Sequence, residues 1–224
     1  MLTFVLATAF ASDPLPFQRG ATSAVDLEAG SAGIELGSGI VDELLTSSDL
    51  VYGELAGTVA VSDRVALFGS AQMYQNLSDD PFSTGNPRFG KVGVRVTAVR
   101  VRNFRVAPWF ALDGGTQVGS WSDEVGAQVG AAMHVHHRKW SFDATVPLAR
   151  VTFSEDPLDL EESVMHSGLN TSLSTTFQMD EHNALRGGLE SGLPYVSYRF
   201  ETHGFSVEPS VGVPFVGLKA GAQF

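Results

Sequence analysis

The sequence predicts an all-β protein: an antiparallel, up-and-down transmembrane β-barrel of about ten strands, with twelve or eight strands as the alternatives. Three observations predict this fold class. Apolar and polar residues alternate along most of the chain, as they do in half-buried strands. The connections between these segments are alternately short and long, as in transmembrane barrels. The charged residues of the segments fall almost entirely on one side of the alternation.

Composition agrees with a protein that faces lipid. The chain has 224 residues, enough for one sizeable domain, and 17% of them are charged. A soluble domain usually has roughly a quarter. Hydrophobic residues make up 43% of the chain, yet no apolar run approaches the ~20 residues of a membrane helix. Because lipid offers the backbone no hydrogen bonds, a spanning chain without such helices has to close into a barrel.

Charge and cysteine content exclude some partners and sites. The net charge of −11 and the pI of about 4.8 argue against nucleic acid as a partner. The chain has no cysteine, so it can form neither a disulfide nor a thiolate metal site. We expect no cofactor and no bound metal.

The N-terminal segment has the features of a secretory signal. Residues 1–11 are apolar, and their last three, Ala-Phe-Ala, fit a small-x-small cleavage site before Ser12. No Lys or Arg precedes the apolar stretch, and a buried first strand is the alternative. We predict a signal peptide over 1–11 and one barrel domain over 12–224.

The predicted strands follow one another without a linker or a helical segment. The first, over 22–36, changes phase at Gly30, as a bulge would produce. Clear alternation predicts the next strands, over 51–61, 64–74, 91–98, 104–113, 125–135, 140–148 and 168–177. Because Pro108, Pro147 and Pro209 each lack a backbone donor, we expect them at bulges or near strand ends.

The C-terminal part allows two interpretations. Residues 183–200 and 205–224 can form two long strands, or each can be broken, at 192–194 and at 213–214. The broken pieces would be only about seven to nine residues long, below the ~9–11 of a tilted membrane strand. We therefore favour two long strands here, and ten strands in total.

Connection length distinguishes the two ends of the predicted barrel. The short connections are at 62–64, 100–103, 136–139 and 178–182. The long ones, rich in Ser, Asp, Gly and Pro, are at 37–50, 76–88, 113–123 and 154–164. Short turns are typical of the periplasmic end. The many acids of the long loops indicate a solvated outer rim, or else sites for divalent cations that bridge to lipopolysaccharide or for a basic partner.

The charged residues of the strands are predicted to face the lumen, since a basic residue on the lipid face at the midplane costs roughly 2–4 kcal/mol. These residues are Asp26, Glu28, Glu54, Lys91, Arg95, Arg105, Asp143, Arg186, Glu190 and Lys219. They can form ion pairs that plug a narrow barrel, or they can line a channel or a ligand site. Open aqueous channels appear at about sixteen strands, which favours the plug.

Four large aromatic residues are predicted to form a girdle on the outer surface at the periplasmic end. Phe104 and Trp140 begin strands just after short turns, while Phe177 and Phe224 end strands on the same side. Aromatic rings are stable at the depth of the lipid headgroups.

The final strand resembles that of a known class of membrane protein. Val216, Leu218, Ala220, Ala222 and Phe224 share one face, and the given sequence ends on this aromatic residue. This pattern resembles the terminal strand of small bacterial outer-membrane β-barrel proteins. The resemblance implies a location in the bacterial outer membrane and contact with its lipid and lipopolysaccharide. It also implies that the barrel-assembly machinery recognises the C-terminal strand.

Two segments with histidine are candidates for chemistry. His134 and His136 share a strand face and His137 follows in the turn, a spacing that allows a shared metal, but no carboxylate of this segment completes a ligand set. Residues 166–170 look similar to the His-x-Ser-Asn segment of outer-membrane lipid A deacylases. Here, however, the serine directly follows the histidine. The two side chains then point to opposite faces of a strand, out of hydrogen-bond reach.

We therefore expect a non-enzymatic outer-membrane barrel with a structural or surface-recognition role through its outer loops. The alternatives are a narrow channel for small solutes and a barrel enzyme that acts on lipid, similar to a lipid A deacylase. The sequence leaves the oligomeric state open.

Overall fold

The computed structural model describes residues 29–41, 50–76, 88–116, 123–153, 171–190, 193–213 and 215–224. These residues form a single antiparallel sheet of 13 strands. The strands are β1 (Ala32–Val41), β2 (Leu50–Ala60), β3 (Val65–Asn76), β4 (Arg88–Val96), β5 (Val99–Val101), β6 (Phe104–Thr116), β7 (Asp123–His137), β8 (Trp140–Phe153), β9 (Ser172–Gln178), β10 (Asn183–Glu190), β11 (Leu193–Thr202), β12 (Phe205–Gly212) and β13 (Phe215–Gln223). Within these ranges no helix is long and apolar enough to cross a membrane.

The sheet closes on itself. Every strand except β4 pairs with the next along the chain, β4 pairs with β6 instead of β5, and β1 pairs with β13. The three-residue β5 continues β4 after a break at Thr97 and Ala98, and it pairs with the beginning of β6. Twelve strands therefore form the wall, and β5 is an extension of one of them.

The prediction of about ten strands is wrong, and the twelve-strand alternative is right. The difference lies in the C-terminal part, which forms the four strands β10 to β13 and not two long ones. Glu190 pairs with Leu193, so the chain reverses direction there within two residues. β10 and β12 have only eight residues each. At about 3.4 Å per residue, eight residues extend over about 27 Å along the strand. A strand tilted by about 40° then covers only about 21 Å of membrane thickness, a little less than an apolar band about 25 Å tall.

The first strand also differs from the prediction. β1 begins at Ala32 and ends at Val41, so its last residues belong to the predicted loop 37–50. Gly30 lies in a turn with a positive φ of 84°, a conformation that suits glycine, and it does not form a bulge. Its N–H donates to the carbonyl of Ala60 at 2.9 Å, which ties this turn to the end of β2. Residues 22–28 lie outside the described ranges.

The connections divide between the two ends as predicted. The predicted short connections all lie at one end, which we call the short-turn end; the turn at residues 203–204 and both described chain ends lie there too. The four predicted long connections lie at the other end, the long-loop end, with two further tight connections at 191–192 and 213–214.

The three prolines lie where the ladders are interrupted. Pro147 adjoins a bulge in which Leu148 is the extra residue opposite the Val129–Gly130 step of β7. Pro108 lies opposite the break between β4 and β5, and Pro209 lies in a gap of the β11–β12 ladder. The expectation of a bulge or a strand end is right for Pro147, whereas Pro108 and Pro209 lie within β6 and β12, opposite gaps in the pairing of a neighbouring strand.

The two faces of the wall differ as lipid and lumen require. The outward side chains of the strands are apolar and exposed, among them Leu36, Leu55, Leu67, Val92, Phe110, Leu112, Val129, Val196 and Leu218. The inward positions alternate with them and are buried, and many are polar. A barrel with an apolar outside and a polar inside is built for a membrane.

Candidate functional site

The lumen holds most of the charged residues named from the sequence. Four are buried inside the wall: Glu54, Lys91, Arg95 and Lys219. Three are half-buried: Arg105, Asp143 and Arg186. Asp26, Glu28 and the side chain of Glu190 lie outside the described residues. The lumen is therefore the candidate functional site, and its contacts decide what it can do.

One charge cluster joins the first two strands of the barrel to the last strand. Lys219 on β13 lies 3.4 Å from the carboxylate of Glu54 on β2 and 3.9 Å from that of Glu35 on β1. The Lys219 and Glu54 side chains are only 4% and 3% exposed. Because β1 lies between β2 and β13, this cluster links the three strands at the point where the barrel closes.

A second cluster lies in the long-loop half of the lumen, and the sequence did not single it out. Arg150 donates to the carboxylate of Asp113 at 3.1 Å, and Gln128 donates to the same carboxylate. Alternation along the sequence did not predict Arg150 in the lumen, because the extra residue Leu148 shifts the alternation of β8 by one position. Asp113 was predicted as the last inward residue of the strand 104–113 but was not counted among the charges of the lumen, and β6 continues beyond it to Thr116.

Two further polar contacts come from β9 to β12. Ser197 donates to the carboxylate of Glu208 at 2.5 Å, inside the wall. Arg186 donates to the hydroxyl of Ser174 at 2.8 Å. Glu208 and Glu35 were not among the residues predicted for the lumen. Both alternate correctly with their apolar neighbours, so strand phase alone could have found them.

The histidines named from the sequence do not form a ligand set. His134 contacts Asp143 of the neighbouring strand, with Nδ1 2.8 Å from a carboxylate oxygen. The ring of His136 stacks on that of His134 with centroids 6.5 Å apart, while His137 is exposed at the end of β7. Among the described residues, no three His, Asp or Glu side chains converge as a metal site would require.

A cavity of about 310 Å³ occupies the short-turn half of the lumen. Lys219, Arg186 and Arg199 line it, together with acids such as Glu35 and Asp143. Side chains of both signs line it, so it has no single-sign field that would select an ion of one charge.

Aromatic side chains fill much of the rest of the lumen. Tyr52, Tyr195 and Phe215, from β2, β11 and β13, are 1%, 3% and 3% exposed in the long-loop half. Phe68 and Trp109 meet edge to face with centroids 6.3 Å apart, and the Lys91 ammonium lies 5.4 Å from the Trp109 ring. Side chains this inaccessible to water do not line a wide pore.

The four predicted girdle residues all lie at the short-turn end. Phe104, Trp140 and Phe224 are exposed on the outer face, and Phe177 is half-buried. The Trp140 and Phe177 rings contact each other with centroids 4.7 Å apart. That this ring of aromatics marks a headgroup level stays a prediction.

The short-turn end also contains a tightly bonded turn between β9 and β10. The carboxylate of Asp180 accepts a hydrogen bond from the backbone N–H of His182 at 2.9 Å and bonds from the Asn183 side chain at 2.7 and 2.9 Å. These bonds favour the ionised form and lower the pKa of Asp180. The predicted His-Ser segment 166–170 lies outside the described residues, as do most of the acidic loop residues.

The barrel is similar to solved outer-membrane proteins. The KdgM porin has a TM-score of 0.51 and 11% identity, over 86% of this chain and 98% of the porin. The KdgM porin in complex with disordered oligogalacturonate gives 0.51 and 10% over the same shares. An outer membrane channel from Pseudomonas putida F1 has a TM-score of 0.48 and 15% identity, over 95% of this chain and 100% of the channel. No family model and no curated protein matches the sequence.

At such identities the likeness shows the fold. The closed antiparallel wall, its apolar exterior and its inward charges supply the physical reason for a lipid environment. Only a closed barrel or a helix satisfies the backbone there, and this chain closes with strands. The chain is therefore a bacterial outer-membrane β-barrel in fold and in location.

Proposed function

We propose that this protein is a non-enzymatic outer-membrane barrel whose lumen is closed by its own side chains, with a structural or recognition role carried by the long-loop end. The observation that carries this proposal is the burial of Tyr52, Tyr195 and Phe215 in the long-loop half of the lumen. Twelve strands enclose a narrow interior, well below the about sixteen at which open aqueous channels appear.

The polar contacts of the lumen support the same proposal. The pairs Lys219–Glu54 and Arg150–Asp113 join side chains from non-adjacent parts of the chain and are almost inaccessible to water. Charges that neutralise one another in the lumen connect strands of the barrel, and they leave little electrostatic attraction for a charged solute.

A narrow channel for small solutes is the second candidate. The cavity of about 310 Å³ in the short-turn half supports it, because this space already extends through part of the lumen between charged side chains. A rearrangement of the aromatic side chains beyond it would extend the path. Catalysis on lipid, lipopolysaccharide binding by the outer loops and recognition of β13 by the assembly machinery stay predictions.

Conductance of refolded protein in a planar bilayer tests the two candidates. We expect no steady conductance from the unsubstituted barrel. Replacing Tyr52, Tyr195 and Phe215 together by Ala should open the long-loop half and produce conductance steps. Tyr198→Ala is the matched control, because Tyr198 is an exposed aromatic on the outer face of the same strand as Tyr195. Steady conductance from the unsubstituted protein would favour the channel and contradict the closed lumen.

A further inference from the structure

Basic residues are concentrated in neighbouring turns at the short-turn end. The chain has 14 Lys and Arg residues in total, against 25 acids. Five of these 14 lie at this edge and are exposed; we call them the basic rim: Arg64, Arg100, Arg102, Arg138 and Lys139. The exposed His136 and His137 lie in the same region. A protein with a net charge of −11 thus has a strongly positive edge.

Backbone hydrogen bonds make the basic rim continuous. The N–H of Thr97 donates to the carbonyl of Arg64 at 2.7 Å, which joins the β2–β3 turn to the β4–β5 break. The N–H of His136 donates to the carbonyl of Asn103 at 2.8 Å, which joins the β5–β6 turn to the end of β7. The rim therefore follows one arc of the barrel edge.

The described chain neutralises little of the charge of the basic rim, because the exposed Asp63, beside Arg64, is the one acid in the described turns that form it. Within the described ranges none of its five side chains forms an ion pair with a carboxylate. The ammonium of Lys139 donates to the carbonyl oxygen of Met179 at 3.0 Å, which leaves its charge in place. The acids of the next turn, Asp180 and Glu181, end the positive arc on one side.

The basic rim lies at the edge of the apolar outer surface, which is where lipid headgroups are expected. Val101 and Trp140 are 60% and 53% exposed on the outer face, directly beside the two-residue turns that hold Arg102 and Arg138. An apolar outward surface that ends on an aromatic ring ends at the headgroup region. Long basic side chains at such a boundary extend toward the headgroups.

We propose that the basic rim binds the headgroups of anionic phospholipids in the leaflet at the short-turn end. Lys and Arg side chains near an anionic membrane surface are attracted to it, and Arg binds phosphate through two parallel N–H donors. An acidic protein partner fits this surface less well, because Arg102, Arg138 and Lys139 lie in turns of only two residues, directly beside the apolar outer face. The proposal depends on the membrane fold and on the predicted aromatic girdle, and not on the closed lumen.

Trp140 provides a reporter for this lipid. In Trp121→Phe protein only two tryptophans remain, and Trp109 lies inside the lumen, away from lipid. The refolded barrel is placed in vesicles that contain brominated phosphatidylglycerol or brominated phosphatidylcholine, and quenching of Trp140 is measured. Trp140→Phe on this background gives the residual signal of Trp109. We expect a preference for phosphatidylglycerol of up to about fivefold for each basic side chain in contact.

The preference should disappear in Arg102→Gln/Arg138→Gln/Lys139→Gln protein. It should persist in Glu181→Gln protein, which changes a charge on the adjacent acidic turn. A salt titration uses the unsubstituted barrel, so its result does not depend on how the triple variant folds. Because ~1 M salt shortens the screening length to about 3 Å, it should remove the preference for phosphatidylglycerol. Equal quenching by the two lipids, or a preference that survives both the triple substitution and high salt, would overturn the proposal. Binding of an acidic periplasmic protein without lipid preference would also overturn it.

Discussion

Single charged residues in the lumen connect strands that are distant in the sequence. Lys219, four residues into β13, lies 3.4 Å from Glu54 of β2, and 165 positions of sequence separate them. Both side chains are almost completely removed from water, and an unpaired charge in such a buried position is costly. The energetic value of such a pair lies mainly in the penalty for removing one partner.

Lys219→Met should therefore destabilise the barrel by about 3–5 kcal/mol, since it leaves the buried Glu54 carboxylate without this cation. The free energy of unfolding of refolded protein, measured by urea titration, checks this. The double variant Lys219→Met/Glu54→Gln should recover much of the loss, because it no longer buries the uncompensated charge. A Lys219→Met barrel as stable as the unsubstituted one would show that other groups already neutralise Glu54.

At the scale of the strands, large lumen side chains pack over glycines of the neighbouring strand. The ring of Trp109 on β6 lies against Gly130 on β7, and Tyr52 on β2 lies against Gly39 on β1. A glycine at these positions leaves space for the ring because it has no Cβ. The same contacts hold the aromatic side chains at fixed places inside the wall.

Gly130→Ala should destabilise the barrel by about 1–3 kcal/mol, the usual range for an overpacked site. The new Cβ would contact the Trp109 ring and approach the carbonyl oxygen of Val146 to 2.5 Å. Gly53→Ala on the outer face is the matched control, since a Cβ there meets nothing within 4 Å; its effect should stay within about 0.5 kcal/mol. Unfolding in urea compares the two, and equal effects would contradict the packing described for Trp109.

For the whole molecule, the apolar exterior and the polar lumen decide which substitutions the membrane tolerates. Adjacent residues of a strand face the two different environments. Leu55 in the middle of β2 is exposed on the outside, whereas Ala56 lines the lumen cavity and pairs with Glu35 of β1. The same new charge at the two positions should therefore have different effects.

Leu55→Arg should impair folding into lipid vesicles by roughly 2–4 kcal/mol, the cost of a basic residue on the lipid face near the midplane. Ala56→Arg should fold more readily, because its guanidinium enters the cavity close to Glu35. The folded fraction, read from heat-modifiable migration on a gel, checks the difference. Similar yields from the two variants would argue against a lipid-facing outer surface.

The sequence by itself determined the fold class, the face of each clearly alternating strand and the short-turn end of the barrel. These follow from period-two alternation and connection length, which are local properties. Local patterns also placed Pro147 at a bulge. They missed Arg150, because one extra residue at Leu148 reverses every later side chain of β8.

The tertiary structure decided the strand count, the partners of the inward charges and the continuity of the basic rim. Residues 192–194 can continue one long strand or break it into two, and only the pairing of β10 with β11 distinguishes the two possibilities. Lys219 meets Glu54 because the barrel closes through β1, a long-range condition that no local pattern contains. Closure of the wall brings together Lys219 and Glu54, whereas Arg150 meets Asp113 through the neighbouring strands β6, β7 and β8.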